Sequence, residues 1–236
     1  MNNPEQRDNA SVQWASPKIL VQLVFVLGVL PFLPMLIPWR WGWWEAWVYA
    51  VVNILGLIVS RTMISADLRR ERFHSTEYEN IEPWDLKLVK FIFLGLLAVP
   101  LTVGLEAHFG SLVTFGLPVK LIAIALLIGG YAFATWALIA NRFFSRVVRI
   151  QSDRGHEVVD SGPYRIVRHP GYLGALVMYW GTPLLLDSVW TYLPVLLLTG
   201  VFVLRTALED RTLQEKLPGY TEYAQRTRYR LLPGVW

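Results

Sequence analysis

The 236-residue chain contains no cysteine, and only 17% of its residues are charged. The first absence excludes a disulfide framework and a thiolate-ligated metal site; the second excludes the charge-rich composition of a disordered chain. No strand pattern runs into a glycine-rich turn, so a soluble dinucleotide-binding fold is excluded too. Internal repeats and low-complexity tracts are missing. The first fifteen residues hold no apolar core behind a positive segment, so no cleavable signal peptide is expected. What is present is apolar: 54% of residues are hydrophobic, 11 are tryptophan, and mean hydropathy is +0.38. An ordinary soluble chain is about 45 to 50% apolar even with glycine counted. The net charge of +4 would suit nucleic acid if it were clustered on a soluble domain, but its distribution along the chain points to a membrane and to no nucleic acid.

Residues 19–38, 43–59, 88–105 and 117–140 are apolar stretches near the roughly 20 residues a helix needs to cross hydrocarbon. Residues 173–186 and 190–204 are shorter, are parted by Asp187 and Ser188, and read as a tight helical hairpin. The fold class expected is all-α: a polytopic integral membrane bundle of about six transmembrane helices, the last two a short hairpin. A soluble bundle would leave such helices apolar all round with nowhere to bury them.

Lysine and arginine alternate sides along these spans. Arg7 and Lys18 come first; Arg61, Arg69, Arg70, Arg72, Lys87 and Lys90 separate spans two and three. Arg142, Arg146, Arg149, Arg154, Arg165 and Arg168 follow span four, and Arg205, Arg211, Lys216, Arg226, Arg228 and Arg230 follow span six. Only Arg40 and Lys120 fall on the other side, so the chain is expected to be multi-pass with both termini cytoplasmic. Trp39, Trp41, Trp43, Trp44 and Trp47 form an interfacial anchor, Pro31 and Pro34 should kink span one, and Gly129 and Gly130 should mark close helix packing.

Polar residues gather in 61–87, 141–172 and 205–236, the last two flanking the hairpin. Two helices in a hairpin hold their feet about 10 Å apart, so Gly162-Pro163-Tyr164 and Arg168-His169-Pro170-Gly171-Tyr172 should face Arg205, Glu209 and Asp210. Arg205 and Glu209 are four apart and share one helix face where charge is costly. Proline and glycine fix the shape of the facing loop, His169, Tyr164 and Tyr172 supply donors and aromatic surface, and His156 precedes the apolar pair Val158-Val159. Such a loop suits a small polar cofactor carrying a flat ring.

The run Gln151, His156-Glu157-Val158-Val159, Gly162-Pro163-Tyr164, Arg168-His169-Pro170-Gly171-Tyr172-Leu173-Gly174, then Arg205 and Glu209-Asp210, resembles the isoprenylcysteine carboxyl methyltransferase family. That family sits in a wider group of membrane methyltransferases that includes phospholipid N-methyltransferases. The resemblance covers residues 141–236, with Trp84-Asp85 as a further shared feature. It implies S-adenosyl-L-methionine as cofactor, with no metal, held by Gln151, His156, Val158, Val159, Tyr164, His169, Pro170, Gly171, Tyr172 and Glu209. It implies catalytic roles for Arg205, Glu209 and His169, with Arg205 facing the acceptor. It divides the chain into membrane helices one to four (1–140) and a cofactor-binding loop, hairpin and cytoplasmic C-terminal helix (141–236), one membrane domain overall. Relative to the family pattern, the stretch between Gln151 and His156 is short and Asp210 replaces a usual glutamate.

The implied acceptor is a membrane-embedded lipid or prenylated molecule, methylated on a carboxylate at the plasma or inner membrane of a prokaryote or the endoplasmic reticulum of a eukaryote. A carboxylate is already deprotonated at neutral pH and needs no general base, whereas an amine acceptor must first lose a proton. Other classes compatible with the residues are a phospholipid N-methyltransferase, a lipid-binding scaffold, and an NADPH-dependent sterol or enone reductase whose 2′-phosphate would call on Arg142, Arg146 and Arg149. Oligomeric state is not encoded in any motif.

Overall fold

A computed structural model describes Val21 and residues 24–75 and 77–236, and these contain eight α-helices and no strand. They are α1 (Leu33–Leu36), α2 (Trp44–Met63), α3 (Ala66–Phe73), α4 (Pro83–Phe109), α5 (Leu117–Ala140), α6 (Pro170–Leu185), α7 (Tyr192–Lys216) and α8 (Tyr220–Arg226). Four of them, α2, α4, α5 and α7, are long and apolar enough to cross a membrane. Helix α6 has 16 residues, about 24 Å of rise against a hydrocarbon core of about 30 Å. Large apolar side chains such as Leu55, Phe93, Leu94, Ile122 and Leu197 point outward, as a lipid-facing surface requires.

The first expected span departs from a kinked helix. Its described part is a π-helical turn (Val24–Val29), a 3-10 turn (Leu30–Phe32) and the single turn α1. Pro31 and Pro34 each occupy the start of one of these pieces, where a missing N–H and a ring clash with the preceding turn end one segment and open the next. Residues 1–20, 22 and 23, which carry Arg7, Lys18 and the start of that span, lie outside the described residues.

Helix α6 lies flush on α5. A Cβ added at Gly130 would stand 2.6 Å from the Gly174 carbonyl oxygen, and one at Gly174 would stand 2.6 Å from that of Gly130. Only glycine on both helices lets the backbones approach so far. The expectation of close packing holds for Gly130, whereas Gly129 faces open space. Helix α7 meets α6 through side chains instead: Trp180 packs on Tyr192 with ring centroids 5.7 Å apart and donates to Thr199 Oγ1 at 3.2 Å. The expected hairpin is therefore splayed, with α6 committed to α5 and α7 to α4, where Leu198 fills the space beside Gly95.

The core forms three successive clusters. One joins Met35, Ala46, Tyr49, Val103, Leu127 and Leu185; a second joins Val99, Tyr179, Val195, Leu198 and Phe202; a third joins Ala137, Tyr164, Leu217, Tyr220 and Tyr223. Beyond the first cluster the α4–α5 and α6–α7 connectors meet, because Asp187 accepts the Phe115 N–H at 2.7 Å. Lys120 pairs there with Glu45 and with Asp187 at 2.9 Å, and Glu106 accepts from Ser188 Oγ and from the N–H groups of Val189 (3.1 Å) and Trp190 (3.0 Å). Beyond the third cluster lie α3, the loop 141–169 and the C-terminal segment.

Candidate active site

Between the loop 141–169 and the feet of α6 and α7 opens a cleft of about 760 Å³ of empty space, continuous with solvent. Gln151, His156, Val158, Val159, Tyr164, His169, Gly171, Tyr172, Arg205 and Glu209 all line it. Pro170 does not; it is the first residue of α6, where its fixed φ and missing N–H suit a helix start.

The α6 foot is built by its own sequence. His169 caps the helix, and Gly171 admits Phe144, whose ring would stand 2.5 Å from an added Cβ. Tyr172, one turn in, stacks on His169 with rings 8° from parallel and donates its hydroxyl to Glu209 Oε2 at 2.6 Å. His169 Nδ1 is 3.9 Å from the same carboxylate oxygen, and its buried Nε2 faces Asp210 Oδ1 at 3.6 Å. Helix α7 thus meets α6 through a carboxylate, a phenol and an imidazole.

Asp210, next along α7, is fully buried and saturated. It pairs with Arg168 (2.8 Å) and Arg230 (2.8 Å) and accepts from Tyr220 (3.0 Å) and Gln214 (2.9 Å). The segment after α8 also docks by backbone, its Tyr229 and Arg230 carbonyls accepting the Arg168 and His169 N–H groups, both at 2.9 Å. Asp210 therefore clamps three pieces of chain behind the cleft, while Glu209 faces into it.

On the opposite wall, His156 Nδ1 accepts the Gln151 N–H at 3.2 Å and the imidazole lies 4.6 Å from Phe143. Burial, with Arg149 and Arg154 nearby, pushes His156 down to about 4. It is neutral at physiological pH and, with Nδ1 accepting, carries its proton on Nε2 as a donor. The Gln151 side chain is consumed by the loop itself, donating to the Phe143 carbonyl at 2.6 Å and accepting from Arg154. Val158 and Val159 pack on the third core cluster. Tyr164 is buried and accepts from Asn141 at 3.2 Å; burial raises its phenol well above the ordinary range, so it stays protonated.

Arg205 lines the cleft, but its fork is already engaged. Nε and Nη2 reach the Asp85 carboxylate at 2.7 and 3.2 Å, Nη2 also donates to the Arg146 carbonyl at 2.8 Å, and the guanidinium sits 5.3 Å from the Tyr172 ring centre. Asp85 in turn accepts the Val148 N–H at 2.7 Å. The planar end expected to face an acceptor instead ties α7 to the start of α4 and to the loop.

The sequence reading understated that contribution from residues 67–85. Glu71 binds Arg149 through two oxygens (3.1 and 2.9 Å), Asp67 pairs with Arg154, and Asn80 donates to the Ile150 carbonyl at 2.8 Å. The signal available was the acidic pair Asp67 and Glu71 inside an otherwise basic stretch.

Residues 119–218, which span α5 to the end of α7, match the phospholipid methyltransferase family. The chain is 32% identical over 111 residues to a probable protein-S-isoprenylcysteine O-methyltransferase of Oryza sativa, covering 46% of this chain and 58% of that protein. It is 34% identical over 86 residues to the protein-S-isoprenylcysteine O-methyltransferase of Schizosaccharomyces pombe, covering 36% of each. It is also 31% identical over 159 residues to the Delta(14)-sterol reductase of Mus musculus, covering 61% of this chain and 38% of that protein. The chain thus spans between 36% and 58% of the length of these curated relatives. These matches bear out the resemblance to the isoprenylcysteine methyltransferase-like group of membrane methyltransferases.

Proposed function

We propose that the chain is an S-adenosylmethionine-dependent methyltransferase that acts on a lipid or prenylated acceptor held in the membrane, with a carboxylate as the methyl-accepting group. The observation that carries this reading is the Glu209–Tyr172–His169 cluster at the mouth of an apolar-floored cleft. Glu209 suits an ammonium, and the start of α6, with the Gly171 N–H at its first turn and the partial positive charge of a helix N-terminus, suits a carboxylate. Neutral His156 offers a donor beside the Val158-Val159 strip, which suits a flat heterocycle. The cofactor would supply a methyl group on a sulfonium, whose C–S bond breaks as an O–C bond forms, leaving a thioether and a methyl ester. The chain's part is alignment of nucleophile and methyl along one line. Since a carboxylate arrives deprotonated, no residue need remove a proton.

In this reading the protein is multi-pass with about six spans, both termini cytoplasmic, and residues 1–140 and 141–236 form one membrane domain. The cofactor enters from the cytoplasm and the acceptor sideways between helices. A reductase reading draws on the sterol reductase match. Against it, Arg149 is neutralised by Glu71 and Asp153, which takes it out of the Arg142, Arg146 and Arg149 group that a 2′-phosphate would call on.

Calorimetric titration of the purified protein with S-adenosylhomocysteine and with NADPH tests the choice. Micromolar binding of the first and none of the second is expected; the reverse would establish a reductase, and binding of neither a non-enzymatic role.

A further inference from the structure

Arg205 and Glu209 stand four apart on α7, and both line the cleft. On a helix that spacing invites an ion pair between them. Here the pair is not made. The Arg205 fork goes to Asp85, Nε to Oδ1 at 2.7 Å and Nη2 to Oδ2 at 3.2 Å, while Glu209 Oε2 accepts the Tyr172 hydroxyl at 2.6 Å. Tyr172 touches both neighbours, because its ring centre is also 5.3 Å from the Arg205 guanidinium. Asp85 comes from the start of α4, is fully buried, and is not among the residues that line the cleft. Its position is fixed from several sides. Asp85 Oδ2 accepts the Val148 N–H at 2.7 Å, the Val148 carbonyl accepts the Glu82 N–H at 2.9 Å, and Lys216 at the end of α7 pairs with Glu82 at 2.6 Å.

We propose that Asp85 is a positioning residue for the cofactor site: by holding the Arg205 guanidinium it keeps that cation off Glu209 and leaves the Glu209 carboxylate free for a ligand ammonium. The ammonium part of this role rests on the reading of Glu209 given above. An unheld Arg205 would act against such a ligand twice. Pairing along the helix would use up the Glu209 carboxylate, and an uncompensated guanidinium in the cleft would repel an ammonium. With Asp85 in place, Arg205 belongs to a neutral pair and Glu209 keeps its negative charge. The Tyr172 hydroxyl orients that carboxylate by donating to it, without neutralising it. A purely structural Asp85 predicts that loss of Arg205 adds to the damage of losing Asp85. Competition for Glu209 predicts the opposite, that loss of Arg205 repairs it.

The test measures S-adenosylhomocysteine affinity by calorimetry for the full chain in phosphatidylcholine nanodiscs, with a thermal melt of each variant. Asp85→Asn keeps the shape and an acceptor for the Val148 N–H but loses the charge. Its affinity should fall about tenfold, and adding Arg205→Gln should recover about fivefold of that, because the competing cation is gone. Unchanged affinity in Asp85→Asn, or no recovery in the double variant, overturns the proposal. Should Asp85→Asn not fold, two variants that keep Asp85 decide. Arg205→Lys should bind about threefold more weakly than Arg205→Gln, since lysine retains the charge but lacks the paired grip on Asp85; equal affinity of the two overturns the proposal. A second readout needs no cofactor: carbodiimide coupling of glycine ethyl ester to Glu209, mapped by mass spectrometry. Coupling should be strong in the parent, several-fold weaker in Asp85→Asn, and strong again in the double variant. A parent that shows this pattern yet binds no S-adenosylhomocysteine refutes the ammonium reading of Glu209 and leaves the hold on Arg205 standing. A parent that binds S-adenosylhomocysteine, with equal coupling in all three proteins, refutes the role of Asp85 alone.

Discussion

The two polar ends of the bundle treat charge in opposite ways. At the far end Lys120 lies between Glu45 and Asp187, and Glu106 is met by one hydroxyl and two backbone donors. Every buried charge there is answered within the chain, and the result is a brace that ties α2, α4 and α5 to the α6–α7 connector. At the cleft end, Asp210 and Asp85 are answered just as fully, but Glu209, which accepts from the Tyr172 hydroxyl, remains partly open to the cleft. Saturated charges mark scaffold, and unsaturated ones beside a cleft mark where a ligand completes the structure.

The contrast is sharpest for neighbours. Asp210→Asn should be the most damaging single change, because it leaves Arg168 and Arg230 without a counter-charge. Removing one side of such a buried arrangement costs about 3 to 5 kcal/mol, and a thermal melt should show a large loss of stability or no folded protein. Lys120→Met should likewise lower the melting temperature by stranding Glu45 and Asp187, while leaving S-adenosylhomocysteine affinity within about twofold. Glu209→Gln should do the reverse: little change in melting, but at least a tenfold loss of affinity, on the order of 1.5 to 3 kcal/mol for a charge-assisted contact. A Glu209→Gln protein that melted like Asp210→Asn would erase the distinction between the two neighbours.

A smaller effect separates His156 from the charged groups. Its folded value, about 4, lies below the ordinary histidine value of 6.5, so between those values the unfolded chain binds the extra proton. Stability from this group is complete above about pH 6.5 and declines as pH falls towards 4. In His156→Gln that part of the acid slope should vanish in melts recorded from pH 7 to 4. An identical slope in the variant would show that His156 is not held neutral.

Much of the bundle was legible in the sequence because lipid demands long apolar runs, and those of α2, α4, α5 and α7 carry few charges. The cleft was legible because its parts sit on short local motifs: His169 before a helix-starting proline, Gly171 at the first turn, and Glu209 on a helix face. What escaped was pairing over long separations. Trp84-Asp85 stood out only as a feature shared with the family, and nothing local says that the Asp85 carboxylate, in the first turn of α4, takes the fork of Arg205, 120 residues away. The assignment of Arg205 to the acceptor followed from its helix face, which does not reveal the pairing with Asp85. Likewise the spacing of Pro31 and Pro34 signalled a disturbance in the first span, but whether a helix bends or divides depends on its neighbours, here Gly104, whose missing side chain lets α4 touch the Leu33 carbonyl.

The central claim, that the cleft end binds ligand and the far end only braces the bundle, is tested most directly by titrating S-adenosylhomocysteine into the parent, Glu209→Gln and Lys120→Met proteins side by side. The account predicts binding to the parent, at least tenfold weaker binding to Glu209→Gln, and affinity within about twofold of the parent for Lys120→Met. Equal affinity in the parent and Glu209→Gln, or a tenfold loss in Lys120→Met with its fold intact, would contradict it.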